Sequence, residues 1–246
     1  MKKRKILIID NYDGIMALLQ GRLKEYALEE VKNSTSDELG TRVNDYDVLV
    51  IDFDKADNCV DSQTGKELTR YFKIDASNFE RENFFDEGEL SRIFREILRA
   101  KSRFVNQKGC EAAEKIEFIF PSSISVIHWI VDYLTERVEK MNLIDPKKSN
   151  LFVALDEALA NAVKHGNKFD TKKLISLTAH ISPEQADFVI EDEGEGFDAT
   201  AVSDPTSKEN IMKPGGRGIL IMKNVMDEVT YNPKGNRLRM IKRQEK

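Results

Sequence analysis

Cysteine is scarce in this chain: Cys59 and Cys110 are the only two in 246 residues. They stand apart without CxxC spacing, which argues against a structural zinc site and suits a reducing cytoplasm. Histidine is nearly as rare, and no two of His128, His165 and His180 have the spacing of a metal-ligand pair. No apolar run approaches the roughly 20 residues that span a bilayer. The opening "MKKRKILIID" sets basic residues before an apolar run, as a signal peptide does. The run breaks at Asp10 with no small-residue cleavage site behind it, so it reads as a first β-strand. A dominant charge of one sign is also missing: the net charge is -5, with acids and bases interspersed. That pattern offers no footprint for nucleic acid and no attraction to an anionic membrane. The sequence contains no P-loop (GxxxxGK[ST]), no GxGxxG after a first strand, no internal repeat and no low-complexity tract.

What is present is core-forming material: 40% of residues are hydrophobic and 33% charged, as in a globular chain. The length suits two domains. "KILIID" and "YDVLVID" are buried strands ending in aspartate, separated by a helical pattern over "GIMALLQGRLKEYALEE". Their alternation predicts a parallel α/β sheet. "SRIFREILRAKSRF" predicts an amphipathic helix with Ile93, Phe94, Ile97, Leu98 and Phe104 on its apolar side. The polar stretch "VNQKGCEAAEK" sets the boundary between a first domain, 1–107, and a second, 108–246. The second opens with the strand "KIEFIF", stopped by Pro121, and a helix capped by Ser122 or Ser123. A further helix starts near Lys148, followed by a hairpin through Pro183 and a long polar segment, 198–214. Then come a glycine-rich turn feeding a helix, and two strands around Asn232-Pro233-Lys234-Gly235. His128, beside Trp129 on an apolar helix face, is expected to pack in the core.

Three separated stretches of the second domain carry chemistry. In "EALANAVKHG", Glu157, Asn161 and His165 recur every four residues and stack on one helix face, with Ala158, Leu159, Ala162 and Val163 free to bury the other. A solvated helix face can show the same spacing by chance. In "EDEGEGFD", Asp192 ends a strand, and Gly194 and Gly196 permit a tight turn and close approach of a flat ring. In "KPGGRGIL", Gly215, Gly216 and Gly218 precede a helix whose N-terminal N–H groups can hold an anion. An acid for an amino group, an amide oxygen for a cation and a phosphate cradle together describe a nucleotide site.

With these motifs the second domain resembles the GHKL ATP-binding fold, and within it the anti-sigma regulatory kinases. "DEALANAVKHG" is similar to their N box, "EDEGEGFD" to their first glycine box and "GGRGILIMKNVMDEV" to their second. The resemblance implies an α/β two-layer sandwich with a mixed sheet, using ATP and Mg²⁺. It implies Asn161 as the Mg²⁺ ligand and Asp192 as acceptor for the adenine amino group. Gly194 and Gly196 would shape the purine pocket, and residues 198–214 would form a lid. Gly216, Arg217 and Gly218, with Lys164, would lie against the phosphates, and Glu157 would be the general base. The first domain resembles a response-regulator receiver, a flavodoxin-like parallel sheet, with Asp52 as phospho-acceptor and Asp10 at the acidic metal site. "TGKELTRYF" is similar to the receiver's third helix. Asn11 in place of a second acid, and the shortness of the segment after Asp52, point to a degenerate receiver that works without phosphorylation. The expectation is a cytoplasmic serine/threonine-protein kinase and anti-sigma factor, homodimeric, whose substrate is an anti-sigma-factor antagonist and which also holds a sigma factor. The alternatives are an ATP-sensing partner switch without transfer activity and a histidine kinase fragment.

Overall fold

In the computed structural model, residues 3–11, 15–32, 40–54, 70–79, 85–108, 113–145, 149–197 and 217–244 are described. Among them nine strands join in a single sheet, in the order β2-β1-β3-β4-β5-β6-β7-β9-β8. The strands are β1 (Lys5–Asp10), β2 (Ala27–Lys32), β3 (Val48–Asp54), β4 (Arg70–Asp75), β5 (Glu114–Pro121), β6 (Leu174–Ile181), β7 (Gln185–Asp192), β8 (Glu228–Tyr231) and β9 (Arg237–Arg243). The helices are α1 (Ile15–Gln20), α2 (Glu87–Lys108), α3 (Ile127–Lys140), α4 (Leu151–Asn161) and α5 (Arg217–Val225). From β5 onward the molecule is an α/β sandwich, with the antiparallel run β5-β6-β7-β9-β8 covered on one face by α3, α4 and α5.

The N-terminal strands depart from the expected receiver in two ways. First, β1 runs parallel to β2 and β3, but β4 is antiparallel to β3. Residues 70–72 of "TGKELTRYF" therefore begin a strand, and the rest of that motif lies outside the described residues. Alternating burial explains the choice: Phe72 and Ile74 point into the core while Tyr71 and Lys73 do not. Second, the helical pattern after β1 stops at Gln20, and Ala27–Lys32 pairs with β1 as an edge strand. Its half-buried register gives Glu29 and Glu30 access to solvent, which a helix prediction from composition misses.

The sheet runs unbroken from β4 into β5, which pair in parallel with Arg70 opposite Glu114. Glu114 is buried and accepts from Arg70 Nη1 at 3.3 Å and from Arg137 Nε of α3 at 2.9 Å. One core spans both segments, from Ile6 and Phe94 to Phe118, Leu155 and Met240. A smaller cluster of Leu7, Ile9, Tyr46, Leu49 and Ile51 lies on the other face of β1 and β3. Helix α2 packs along α3: Ser91 Oγ donates to the Ser125 carbonyl at 2.8 Å and accepts from Trp129 Nε1 at 3.1 Å. As expected, Ile93, Phe94, Ile97 and Leu98 are buried; the Phe104 side chain lies outside the described residues.

Ser123 caps the turn before α3, accepting from the Ser125 N–H at 3.1 Å. His128 is not a core residue. Its side chain is 60% exposed and pairs with Asp132 one turn on, at 3.3 Å, because the apolar stripe of α3 is carried by Ile127, Ile130, Val131 and Leu134. The next helix begins at Leu151, three residues later than Lys148 suggested.

Candidate functional site

Helix α4 buries Leu151, Ala154, Leu155, Ala158 and Leu159 and leaves Glu157 and Asn161 half-buried on its other side. Directly after Asn161 the chain widens into a π-turn, Ala162–Gly166, closed by the Asn167 N–H on the Ala162 carbonyl at 2.8 Å. Such wide turns within helices recur at functional sites because they re-aim side chains. The turn carries Gly166 against the end of β7. A Cβ on Gly166 would stand 2.5 Å from both carboxylate oxygens of Asp192. Only a glycine admits that approach.

Asp192 is anchored locally: its Oδ1 accepts from the Gly194 N–H at 2.9 Å. Burial pushes its carboxyl pKa up, and the Gly194 hydrogen bond offsets only part of that. Both glycines of the "GEG" loop are needed, for different reasons. Gly196 has φ of +80°, whereas Gly194 is required by its closeness to Gly166 and Asp192.

The N-terminus of α5 lies across from α4. A Cβ on Gly218 would stand 2.6 Å from Glu157 Oε2 and 3.2 Å from Asn161 Nδ2. The positive end of the α5 dipole, which favours anions, therefore sits beside the Asn161 amide and the Glu157 carboxylate. Gly216 and the segment 198–214 lie outside the described residues, as does the Arg217 side chain. Lys164 is exposed and does not line the cavity.

Between the end of α4, the π-turn, the end of β7 and the β8–β9 hairpin is a cavity of about 140 Å³. Asn161 and Asp192 stand on its wall with His165, while Ala158, Ala162, Ile190 and Leu238 make its apolar floor. Gly196, Phe197 and Tyr231 close another side. Phe197 and Tyr231 meet edge to face, 5.1 Å between ring centres, and burial raises the Tyr231 hydroxyl pKa to about 12. An apolar slot with one carboxylate suits a flat heteroaromatic ring carrying an amino group. A half-buried amide and a helix N-terminus further along suit charged oxygens.

Sequence reasoning missed two asparagines here. Asn167 is buried; its Nδ2 donates to the Leu174 carbonyl at 2.9 Å and its Oδ1 accepts from the Glu193 N–H at 2.9 Å, tying the end of the π-turn to the Asp192 loop. The Lys168 and Phe169 that follow hold φ of 57° and 60°, a region most side chains avoid. Asn236 reaches the same loop from the β8–β9 turn. A polar residue just past a helix end, or inside a hairpin turn, gives only a turn signal in sequence.

In the first segment Asp10 and Asp52 are register partners on β1 and β3, both fully buried. Lys101 of α2 is ion-paired with Asp52, with both side chains sealed from solvent. Among the described residues no helix is long and apolar enough to cross a membrane, and no cluster of three metal-ligating side chains occurs.

Comparison with known proteins matches residues 120–242 to the Histidine kinase-like ATPase domain. The chain is 37% identical over 98 residues to the serine-protein kinase RsbW of Staphylococcus epidermidis, covering 37% of this chain and 62% of that protein. It is 33% identical over 98 residues to RsbW of Staphylococcus aureus, with the same coverage. Against RsbW of Bacillus subtilis the identity is 26% over 123 residues, covering 48% of this chain and 77% of the relative. The chain thus spans a little under two thirds of the length of the staphylococcal relatives. The profile match covers half of the 246 residues and contains the whole Asn161–Asp192–Gly218 constellation, so the chain belongs to the histidine kinase-like ATPase domain family.

Proposed function

We propose that the protein is an ATP-dependent serine/threonine-protein kinase of the anti-sigma type, acting on an anti-sigma-factor antagonist and also holding a sigma factor. The observation that carries this reading is the convergence of three stretches distant in sequence: Asn161 and Asp192 line one cavity, and Gly218 at the start of α5 packs against Asn161. The serine-protein kinase relatives supply the reaction class. In this reading Asp192 accepts the adenine amino group, Gly194 and Gly196 shape the purine slot, and the N–H groups at the start of α5 face the phosphates. The resemblance also implies Gly216, Arg217 and Lys164 as phosphate contacts.

Asn161 would hold Mg²⁺ through its amide oxygen. A single hard oxygen ligand suits an ion that takes most of its shell from phosphate and water. Held there, it would neutralise charge on the phosphates. The substrate hydroxyl oxygen forms a bond to the γ-phosphorus as the bond to the bridging β–γ oxygen breaks, and Glu157 accepts the hydroxyl proton. Positioning supplies most of the rate, because the transferred group needs alignment and charge stabilisation more than a strong base.

We assign residues 108–246 to this chemistry and 1–107 to its regulation. The sealed Asp52–Lys101 pair supports a first segment that works as a degenerate receiver, docking a partner without being phosphorylated. A homodimer in the cytoplasm is the assembly and location that the resemblance implies. The test is incubation with labelled MgATP and candidate antagonist proteins. Phosphoserine or phosphothreonine on one antagonist, abolished by Asn161→Ala, is the expected result. No transfer, with ATP bound normally by calorimetry, would leave a nucleotide-sensing partner switch instead.

A further inference from the structure

The turn between β8 and β9 is built around two asparagine side chains. Asn232 Oδ1 accepts three backbone N–H groups, from Gly235 at 2.8 Å, Asn236 at 3.1 Å and Arg237 at 3.2 Å. Three donors on one atom settle its identity as the oxygen, so Nδ2 is the end that donates to Asn236 Oδ1, at 3.0 Å. The orientation of Asn236 follows from this. Its Nδ2 donates to the Asp192 carbonyl at 2.8 Å, and its main-chain carbonyl accepts from the Asp192 N–H at 3.0 Å. Both main-chain groups of Asp192 therefore end on one residue, which is 8% exposed and lines the cavity.

The same turn is clasped to the loop that follows Asp192. Gly196 and Gly235 both adopt positive φ, +80° and +81°. A Cβ on Gly196 would collide with the Lys234 carbonyl oxygen, and one on Gly235 with that of Phe197. The backbones touch with no side chain between them, and the Phe197–Tyr231 ring pair closes the contact outside. Asp192 is thus gripped from three sides: Asn236 on its main chain, Gly194 on Oδ1, and Gly166 against its carboxylate. Oδ2 remains as the carboxylate oxygen for a ligand.

We propose that Asn236 is a positioning residue for base recognition: by holding the main chain of Asp192 it aims the carboxylate, and so sets the preference for a purine with an amino group at its six-position. This deepens the nucleotide reading above and rests on it. The physical cause is directional. A hydrogen bond weakens steeply with angle, so a carboxylate that swings loses its preference for an amino donor before it loses the purine. A ring carbonyl at the same position meets the carboxylate oxygen as a second acceptor.

The test compares the affinities of ATP and inosine triphosphate, in which a carbonyl replaces the six-amino group and N1 carries a proton, for the full chain by calorimetry. The wild type is expected to prefer ATP by at least about tenfold, and Asn236→Ala to lower that preference by about tenfold, chiefly through weaker ATP binding. Should Asn236→Ala fail to fold, Asn236→Asp keeps the shape and the acceptor for Asn232 while replacing the donor to Asp192, and the same loss of preference is expected. Equal weakening of both triphosphates with the preference intact overturns the inference, because a merely structural role predicts it. A wild type that binds both equally overturns it too, while the nucleotide site stands. Binding of neither by the wild type removes the nucleotide reading itself.

Discussion

Gly166→Ala probes the site through a single methyl group. The new carbon would lie 2.5 Å from each Asp192 carboxylate oxygen, roughly 1 Å inside the ordinary non-bonded optimum of about 3.5 Å. Gly166 has no positive φ, so the backbone accepts alanine, and helical geometry there gains about 0.5–1 kcal/mol. The cheapest relief is rotation of the Asp192 side chain, which breaks the Gly194 N–H bond to Oδ1. A hydrogen bond to a charged group is worth about 1.5–3 kcal/mol. The net expectation is a modest destabilisation of about 1–2 kcal/mol, read as a lower melting temperature. For ligand binding nothing offsets the loss, and ATP affinity should fall on the order of 10- to 100-fold. Gly21→Ala is the control, since a Cβ there has nothing within 4 Å; both stability and affinity should hold. Calorimetric titration with MgATP and a thermal melt of each variant decide the matter. A folded Gly166→Ala protein that binds ATP within about twofold of wild type would refute the role given to Asp192.

Two further predictions test the electrostatics. Burial raises the Asp192 pKa, so the folded protein takes up this proton at a higher pH than the unfolded chain does. The stability cost of the charged carboxylate is therefore present at neutral pH and is relieved as pH falls through the raised value. ATP binding needs the ionised form and should weaken as pH falls, starting above the ordinary aspartate range; calorimetric titrations from neutral pH downward read this, and Asp192→Asn should bind weakly with that pH dependence gone. In the first segment, Asp52→Asn removes the carboxylate paired with buried Lys101 and should cost about 3–5 kcal/mol in urea unfolding. Asp52→Leu with Lys101→Met should recover most of that loss, and a single variant within about 1 kcal/mol of wild type would contradict a structural role for the pair.

Local pattern alone determined much of this molecule. Alternating burial in "KIEFIF", "KLISLTAHIS" and "ADFVIED" specified β5, β6 and β7, because a strand with one buried face must repeat every second residue. The four-residue recurrence of Glu157 and Asn161 placed them on one face of α4, and glycines marked both loops that approach other chain segments closely. Tertiary structure decided the rest. Ala27–Lys32 and Arg70–Asp75 became strands through partners the local sequence does not contain, and Lys101 reached Asp52 from a helix 49 residues away. Asn167 and Asn236 acquired their roles only when a helix end and a hairpin turn met the tip of β7. A side-chain amide is equally at home in any turn, and what it holds depends on which distant backbone groups folding leaves within its reach.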